Sequence, residues 1–365
     1  MKGRIRYFLL GLGPLGLIIL IIANHNSYFA EHVCALHLYK WLSIGISSVT
    51  TKVPFSIGEM GIIILSIVGV GLLIRFFLRL RRGKGNRKEI ASNFLWNLAT
   101  VCSVIFFLFV ILCGTNYHRY SFAYYRGITV QDSSVEELHE LCICLSKQAN
   151  ILREQVPCED ERGIFQLSTS IKDTGIKARD TMNQLGEEYP VLSGWNATVK
   201  EIFFSDFMSR TETTGIFFNF PMEANVNTKV PQFSIPATMC HELSHLRGFM
   251  KEEEASYIGY LACMASDDVE FKYSGVMDAL ISAGNALYRM DSELYKELVA
   301  QYSDKVKADL IANSEYWAQY HGKVISSVSN KVNDTYLKAN QQADGIQSYG
   351  RMVDLLLADQ RKRKR

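Results

Sequence analysis

Three long apolar runs in the first third of the chain constrain its fold more than any other feature. They cover residues 7–23, 60–74 and 94–114, and the second continues past Arg75 with three further apolar residues. Each is close to the ~20 residues that a helix needs to cross the ~30 Å hydrocarbon core of a bilayer. We therefore predict a membrane anchor over residues 1–120, with transmembrane helices at about 7–25, 58–80 and 94–115, and a lipid bilayer as partner.

The first run leaves a second interpretation open. It is slightly short and contains Pro14, so it could instead be the apolar region of a signal peptide that is removed. That interpretation needs small residues around a cleavage site, and the sequence NHNSYF after Ala23 shows no such motif. We expect a retained helix.

Basic residues predict how the anchor is oriented. Lys2, Arg4 and Arg6 precede the first run, and residues 78–88 after the second run are rich in Lys and Arg. Because such segments stay in the cytoplasm, we predict a cytoplasmic N-terminus, three crossings, and residues 121–365 as an extracytoplasmic domain. The mildly apolar residues 32–54 are expected at the membrane surface or against the helix bundle.

The remaining two thirds of the chain is predicted to be mostly helical with a small β-sheet. Ser134 and Glu137 form a capping-box pattern, followed by apolar residues at helical spacing to about Val156. Residues 216–220 are apolar and aromatic between Gly215 and Pro221, which predicts a short strand. A formal net charge of +2 gives no basis for a nucleic-acid partner.

The sequence His241-Glu242-Leu243-Ser244-His245 is an HExxH motif. On a helix, positions i and i+4 share a face, so both imidazoles can bind one Zn²⁺ ion. Zinc makes a nearby water more acidic, and Glu242 can accept its proton as general base. An exposed polar helix face is the alternative, but the flanking residues are apolar. Two further charged residues, Arg247 and Lys251, follow closely and favour a position outside the bilayer.

A third metal ligand is expected after a turn at Gly248. Glu252 and Glu254 are both candidates, and an acidic first turn is also ordinary at a helix N-terminus. The spacing Glu252-x-x-x-Ser256 matches the zincin pattern in which the later residue, usually Asp, orients a ligand histidine. We therefore favour Glu252. The connection is short for such a site, and the alternative third histidine of the HExxHxxG pattern would fall at Lys251, which cannot bind while protonated.

Other residues are candidates for the walls of a cleft. The predicted strand at 216–220 could border it and pair with an extended substrate, or it could be a core strand. Polar side chains after this strand could line the cleft or cap a turn: Glu223, Asn225 and Asn227. Three residues could stabilise a developing oxyanion, although a residue of this kind is more often a packed aromatic or a surface residue: Tyr257, His321 and Tyr349.

Four segments resemble a family of bacterial multi-pass membrane proteins of unknown function that carry a zincin-like domain. They are GTNYHRY at 114–120, PMEANVN at 221–227, CHELSHLRGFMKEEEASYIGYLAC at 240–263 and NDTYLKANQQADGIQSYGRMVDLLLA at 333–358. The resemblance implies a metallopeptidase in a bacterial cell membrane. This chain departs from the family pattern at Ser256, where Asn is frequent.

These observations predict a membrane-anchored zinc metallopeptidase that hydrolyses a peptide or protein substrate. His241, His245 and Glu252 are the predicted metal ligands, and Glu242 is the predicted catalytic residue. Two alternatives remain open at this stage. The chain could be a non-catalytic membrane receptor or assembly protein that keeps a metal site, or a zincin-type signalling sensor that cleaves one specific partner.

Overall fold

The computed structural model describes residues 2–83, 85–340, 342, 347 and 351–364. Its described part is mainly helical, with one small mixed sheet. The first third contains α1 (Lys2–His25), a π-helical segment (Phe29–Tyr39), α2 (Lys40–Thr50), α3 (Ile57–Arg82) and α4 (Arg87–Leu112). Of these, α1, α3 and α4 are long and apolar enough to cross a membrane, as predicted.

The contacts between α1 and α4 show that these helices run parallel. Arg6 donates a hydrogen bond to Asn97 near one end, the backbone N–H of Gly13 donates to Ser103 in the middle, and Leu20 approaches Gly114 at the other end. A short connection joins α3 to α4, so the start of α3 lies at the same end as the close of α4. This end carries the rest of the protein.

The later two thirds contains eleven short and medium helices in its described residues. They are α5 (Phe122–Arg126), α6 (Val135–Arg153), α7 (Ile171–Glu188), α8 (Ser205–Arg210), α9 (Ile235–Leu246), α10 (Glu252–Ala265), α11 (Val269–Met290), α12 (Ser292–Ala300), α13 (Asp304–Ala318), α14 (Val324–Ala339) and α15 (Met352–Arg363). The capping box predicted at Ser134 and Glu137 is present at the start of α6.

The sheet has three strands, β1 (Lys200–Glu201), β2 (Gly215–Phe218) and β3 (Glu223–Val226), in the order β1-β3-β2. β3 pairs in parallel with β1 and antiparallel with β2. The predicted strand at 216–220 therefore begins one residue earlier and ends at Phe218. The chain turns beyond it, and Met222 adopts a left-handed conformation with φ of 51°.

The core of this part lies between α9, α10, α11 and β3. Leu243 of α9, Ile258 of α10 and Val276 of α11 are fully buried there. Gly259 lets α10 approach α9 closely, because an added Cβ would lie 3.1 Å from the backbone nitrogen of His241. This close packing fixes the relative position of the two helices that carry the HExxH motif and Glu252.

Residues 29–53 pack against the apolar helices α1 and α4 and also against the later helical part. Ser43 accepts a hydrogen bond from the indole of Trp195 at 2.9 Å, and the Lys200 ammonium donates to the Thr50 carbonyl at 2.8 Å. Tyr39 is buried and belongs to the same core. Packing against the helix bundle, one of the two locations expected for residues 32–54, is therefore confirmed, whereas the contacts with Trp195 and Lys200 were not predicted from the sequence.

Candidate metal centre

The helix α9 carries the HExxH motif on a buried face. Pro236 lies in its first turn, where its missing N–H costs nothing, and apolar residues on both sides of the motif enter the core. The helix ends at Leu246, and Gly248 adopts a positive φ of 85°, a conformation that glycine reaches without strain. The chain then returns as α10, whose first residue is Glu252.

Three potential ligand atoms converge where α9 meets α10. The Nε2 atoms of His241 and His245 are 3.0 Å apart, and Oε2 of Glu252 lies 3.1 Å and 3.5 Å from them, respectively. Ligands at about 2.0–2.2 Å from a tetrahedral zinc are separated by about 3.3–3.6 Å. The triangle is thus slightly tighter than a zinc site, and its two imidazoles and one carboxylate are a donor set that suits zinc.

Each imidazole is oriented through its other nitrogen. Nδ1 of His241 lies 3.1 Å from Oγ of Ser256, and Nδ1 of His245 lies 2.8 Å from the carbonyl oxygen of Phe249. Because a carbonyl only accepts, Nδ1 of His245 carries a proton. When that ring is neutral, its Nε2 lone pair points to the cluster. Such contacts fix the tautomer and orientation of ligand histidines.

The charges within the cluster are strongly coupled. Burial alone would lower the pKa of His245, but the carboxylates of Glu252 and Glu242 more than offset this and raise it to about 9. For Glu252, burial opposes ionisation, yet the adjacent imidazoles outweigh it and hold the pKa below its usual range. The cluster therefore favours an ionised carboxylate, which is the form that binds a cation.

Glu242 lies beside the cluster with an unsatisfied oxygen. Its side chain is buried, and no donor among the described residues bonds its Oε2 atom. Burial raises the pKa of Glu242 to about 8, and the negative charge of Glu252 adds to this effect while His245 opposes it. A buried carboxyl of raised pKa next to a potential metal site is typical of a general base.

A cleft of about 820 Å³ opens onto the cluster. His241, Glu242 and His245 lie on one wall and β2 borders it. The opposite wall includes Tyr336 of α14, whose hydroxyl lies 3.5 Å from the hydroxyl of Tyr117. A cleft of this size can admit a segment of polypeptide.

The structure distinguishes between the candidate residues, and its cluster contains the favoured Glu252. Glu254 is buried but is not part of the three-residue cluster, whereas Glu252 is. Tyr257 is buried in the core away from the cleft lining, and His321 is exposed beside Glu212 at 3.1 Å. Tyr349 lies outside the described residues. Neither Tyr257 nor His321 is therefore placed to contact a substrate at the cluster.

The polar residues after β2 have structural partners instead of lining the cleft. Glu223 pairs with Lys200, the Asn225 amide donates to the Glu223 carbonyl at 3.0 Å, and the Asn227 amide donates to Ser209 at 3.0 Å. Glu223 and Asn225 lie within β3 and therefore fit neither alternative, whereas Asn227 caps the turn after β3, because its Oδ1 accepts from the backbone N–H of Lys229 at 3.0 Å.

Two residues that contribute to the site were missed by the sequence analysis, one that supports the helix α9 and one that lines the cleft. Tyr39 donates from its hydroxyl to the carbonyl oxygens of His245 and Leu246, each at 3.1 Å, and so satisfies the end of α9. Tyr336 lines the cleft. Both are more than 90 residues from the motif, and no local spacing could have indicated them.

The fold and the site define a mainly helical, membrane-associated protein with a buried His-His-Glu cluster at the base of a cleft. Residues 35–357 match the family DUF3810, described as a protein of unknown function, and the chain belongs to that family. No curated protein matches the chain, and no solved structure matches it.

Proposed function

We propose that this protein is a membrane-anchored zinc metallopeptidase with a zincin-like site. His241, His245 and Glu252 would hold the ion, and Glu242 would act as general base. The observation that carries the proposal is the convergence of three ligand atoms within 4.8 Å of one another, beside a buried carboxylate and at the base of a cleft. Among the residues that the structure describes, only three protein ligands converge, which favours a catalytic site over a closed structural one.

The residues of the cleft suggest how hydrolysis would proceed. A bound zinc ion would polarise the scissile carbonyl and increase the acidity of the attacking water. Glu242 accepts one proton from that water and returns it to the leaving amine. The water oxygen thereby bonds to the scissile carbonyl carbon, the C–N bond breaks, and the products are a carboxylate and an amine. Ser256 and the Phe249 carbonyl hold the two imidazoles in place.

Tyr336 is the residue we assign to stabilise negative charge on the carbonyl oxygen. It lies in the lining of the cleft with more than a third of its surface exposed. Burial of its hydroxyl end, together with the nearby Cys113, raises its pKa, so the phenol keeps its proton at neutral pH and can donate a hydrogen bond.

The basic segments favour a cytoplasmic N-terminus, and we infer that the cluster lies outside a bacterial cell membrane. The parallel course of α1 and α4 supports this topology, because both helices end on the side that carries the cluster. Labelling in intact cells with a membrane-impermeant maleimide tests it, with single cysteines introduced into a variant in which the native cysteines that are not buried, Cys102, Cys144 and Cys158, are replaced by Ser. Thr211→Cys should react from outside, and Gly85→Cys should not.

The function is tested by comparing metal content with hydrolysis in the detergent-solubilised protein. Wild type should contain about one zinc ion per chain, and His241→Ala should contain little. Glu242→Gln keeps the shape of the side chain but cannot accept a proton, so it should retain zinc and hydrolyse a peptide library at least ~100-fold more slowly.

Glu254→Gln is the matched control, since it changes a buried glutamate on the same turn that is outside the cluster. It should retain both zinc and activity. Wild-type protein without zinc, or Glu242→Gln protein with full activity, would show that the proposed function is wrong.

A further inference from the structure

The edge of the sheet faces the cleft. In the described part of the chain, β2 pairs only with β3. The backbone N–H of Asn227 donates to the carbonyl of Thr214, and antiparallel pairing alternates, so Ile216 and Phe218 also direct their backbone groups to β3. The N–H and C=O groups of Gly215 and Phe217 therefore point to the cleft, where an extended peptide can pair with them.

The strand β2 connects the cluster with the start of a transmembrane helix. At its first residue, an added Cβ on Gly215 would lie 2.5 Å from Oε1 of Glu242. At its last residue, the ring of Phe218 packs directly against Gly58, in the first turn of α3. Gly215 and Phe218 are three residues apart, which is about 10 Å in a strand. The distance along β2 from the carboxylate of Glu242 to the first turn of α3 is therefore about 10 Å.

An exposed aromatic surface adjoins the same turn of α3. We define it as Phe203, Phe204, Phe207 and Phe220, which are 81%, 48%, 58% and 47% exposed. The backbone N–H groups of Phe203 and Phe204 donate to the carboxylate of Glu59 at 3.0 Å and 2.8 Å, which ties this surface to the helix. Exposed apolar residues beside a span are stabilised at the membrane interface.

The end of a second transmembrane helix forms part of the cleft itself. Phe109 lies in the last turn of α4, and Cys113 is the first residue after this helix. Both residues line the cleft. The cleft therefore lies next to the first turn of α3 and the last turn of α4, and so close to the surface of the bilayer. A soluble substrate would have to approach the membrane to reach it, whereas a membrane protein presents its chain there already.

We propose that the substrate is a membrane-anchored polypeptide, cut within about five residues of its own transmembrane span while its extended chain pairs with β2. This inference rests on the proposed function. The distance sets the limit, because about 10 Å of extended chain contains about three residues. The apolar side chains of α3 are exposed along its length, and Glu59 is the only buried residue among those of this helix. A substrate span can therefore lie beside α3 in place of lipid.

The test uses full-length protein in proteoliposomes with three forms of one randomised 12-residue library. In the near carrier, the library directly follows a single transmembrane helix. In the far carrier, a 20-residue helical spacer of repeated EAAAK, about 30 Å long, separates the two. In the third form the library is free in solution. Near and far carriers share the concentrating effect of the membrane, so their difference reports distance alone.

We expect the near carrier to be cut at least tenfold faster than the far carrier, at bonds within about five residues of the span. Equal cutting of near and far carriers, or faster cutting of the free library, would overturn the inference and leave the peptidase intact. Protein that contains zinc but cuts none of the three would overturn the proposed function, and the inference with it.

Photocrosslinking gives a second readout that needs no hydrolysis. A crosslinking amino acid at Phe217 in the Glu242→Gln background should capture the near carrier through the residues next to its span. Capture of distal library residues, or equal capture of the far carrier, would contradict the proposed path of the substrate. The Glu242→Gln protein with the crosslinker at Tyr288, which is exposed and belongs neither to the cleft lining nor to the aromatic surface, is the control, and it should not capture the library.

Discussion

The two imidazoles of the cluster differ in the charge that their surroundings favour. Burial lowers the pKa of His241, and the neighbouring His245 lowers it further although Glu252 opposes this. The pKa of His245 is raised to about 9, because the carboxylates of Glu252 and Glu242 outweigh burial. At neutral pH without metal, His245 therefore holds a proton that balances the charge of Glu252, and Glu242, whose pKa is raised to about 8, holds another.

Zinc affinity should consequently depend on pH. The ion binds neutral imidazole, so His245 must lose its proton, and the affinity should rise with pH up to about 9, by up to tenfold per pH unit. Competition with a chromophoric chelator between pH 6 and 8 measures this slope. Calorimetry in two buffers of different ionisation enthalpy should report release of at least one proton, that of His245, and a flat affinity profile would contradict the charge assignment.

Ser256 should contribute to metal affinity without being a ligand. Its Oγ lies 3.1 Å from Nδ1 of His241, and loss of such an orienting contact typically weakens binding 10- to 100-fold. Ser256→Ala should therefore raise the zinc Kd about tenfold. Ser244→Ala is the control, because Ser244 bonds the carbonyl of Cys240 within its own helix and should leave the Kd unchanged.

Gly215 tests how tightly Glu242 is held. A methyl group there would meet Oε1 of Glu242 at 2.5 Å and the Thr238 methyl at 2.7 Å, so the carboxylate must move. A displacement of about 1 Å can cost 100-fold in rate. Gly215→Ala should lower kcat by about that factor and retain zinc. Gly45→Ala, where the space is open, should be neutral, and equal rates in both variants would show that Glu242 has room.

At the scale of elements, the sequence predicted those parts of the site whose residues are brought together by the spacing of a helix or by a short turn. The helical spacing of His241 and His245, the turn at Gly248 and the four-residue spacing from Glu252 to Ser256 together predicted the three-atom cluster and one of its orienting contacts. These residues lie within sixteen positions of one another, so helix geometry alone brings them together. The predicted transmembrane helices follow equally directly from length and apolarity.

The elements that complete the cleft could not be predicted in this way. Tyr336 reaches it from α14, and Phe109 and Cys113 reach it from the end of α4, through packing of elements distant in sequence. The strand β2 was predicted, but its role as an edge depends on the order β1-β3-β2, which no pattern in the sequence encodes. Tertiary contacts of this kind are set by the whole core.

At the scale of the whole molecule, the chain that follows the first apolar helix packs directly against the helices that carry the His-His-Glu cluster. Glu31 follows α1 and is fully buried against Arg119, which donates to it from Nε at 3.0 Å and from Nη2 at 2.7 Å. The same guanidinium donates to the carbonyl of Arg247, just after α9, at 3.2 Å. Tyr39 binds the carbonyl of His245 directly. The chain after the first span thus supports the end of α9.

This coupling predicts that a substitution near the anchor destabilises the distant domain. Glu31→Gln leaves the buried guanidinium of Arg119 without its counter-charge, at a cost of about 3 kcal/mol. In detergent, the Tm should fall by about 5–10 °C, measured together with zinc release on heating. Zinc release should shift with unfolding, because the same contacts hold the end of α9. Glu201→Gln, at an exposed position on β1, should leave both unchanged. If Glu31→Gln lowered neither temperature, the anchor and the metal-binding helices would be independent units, and the short path from cleft to bilayer would lose its structural basis.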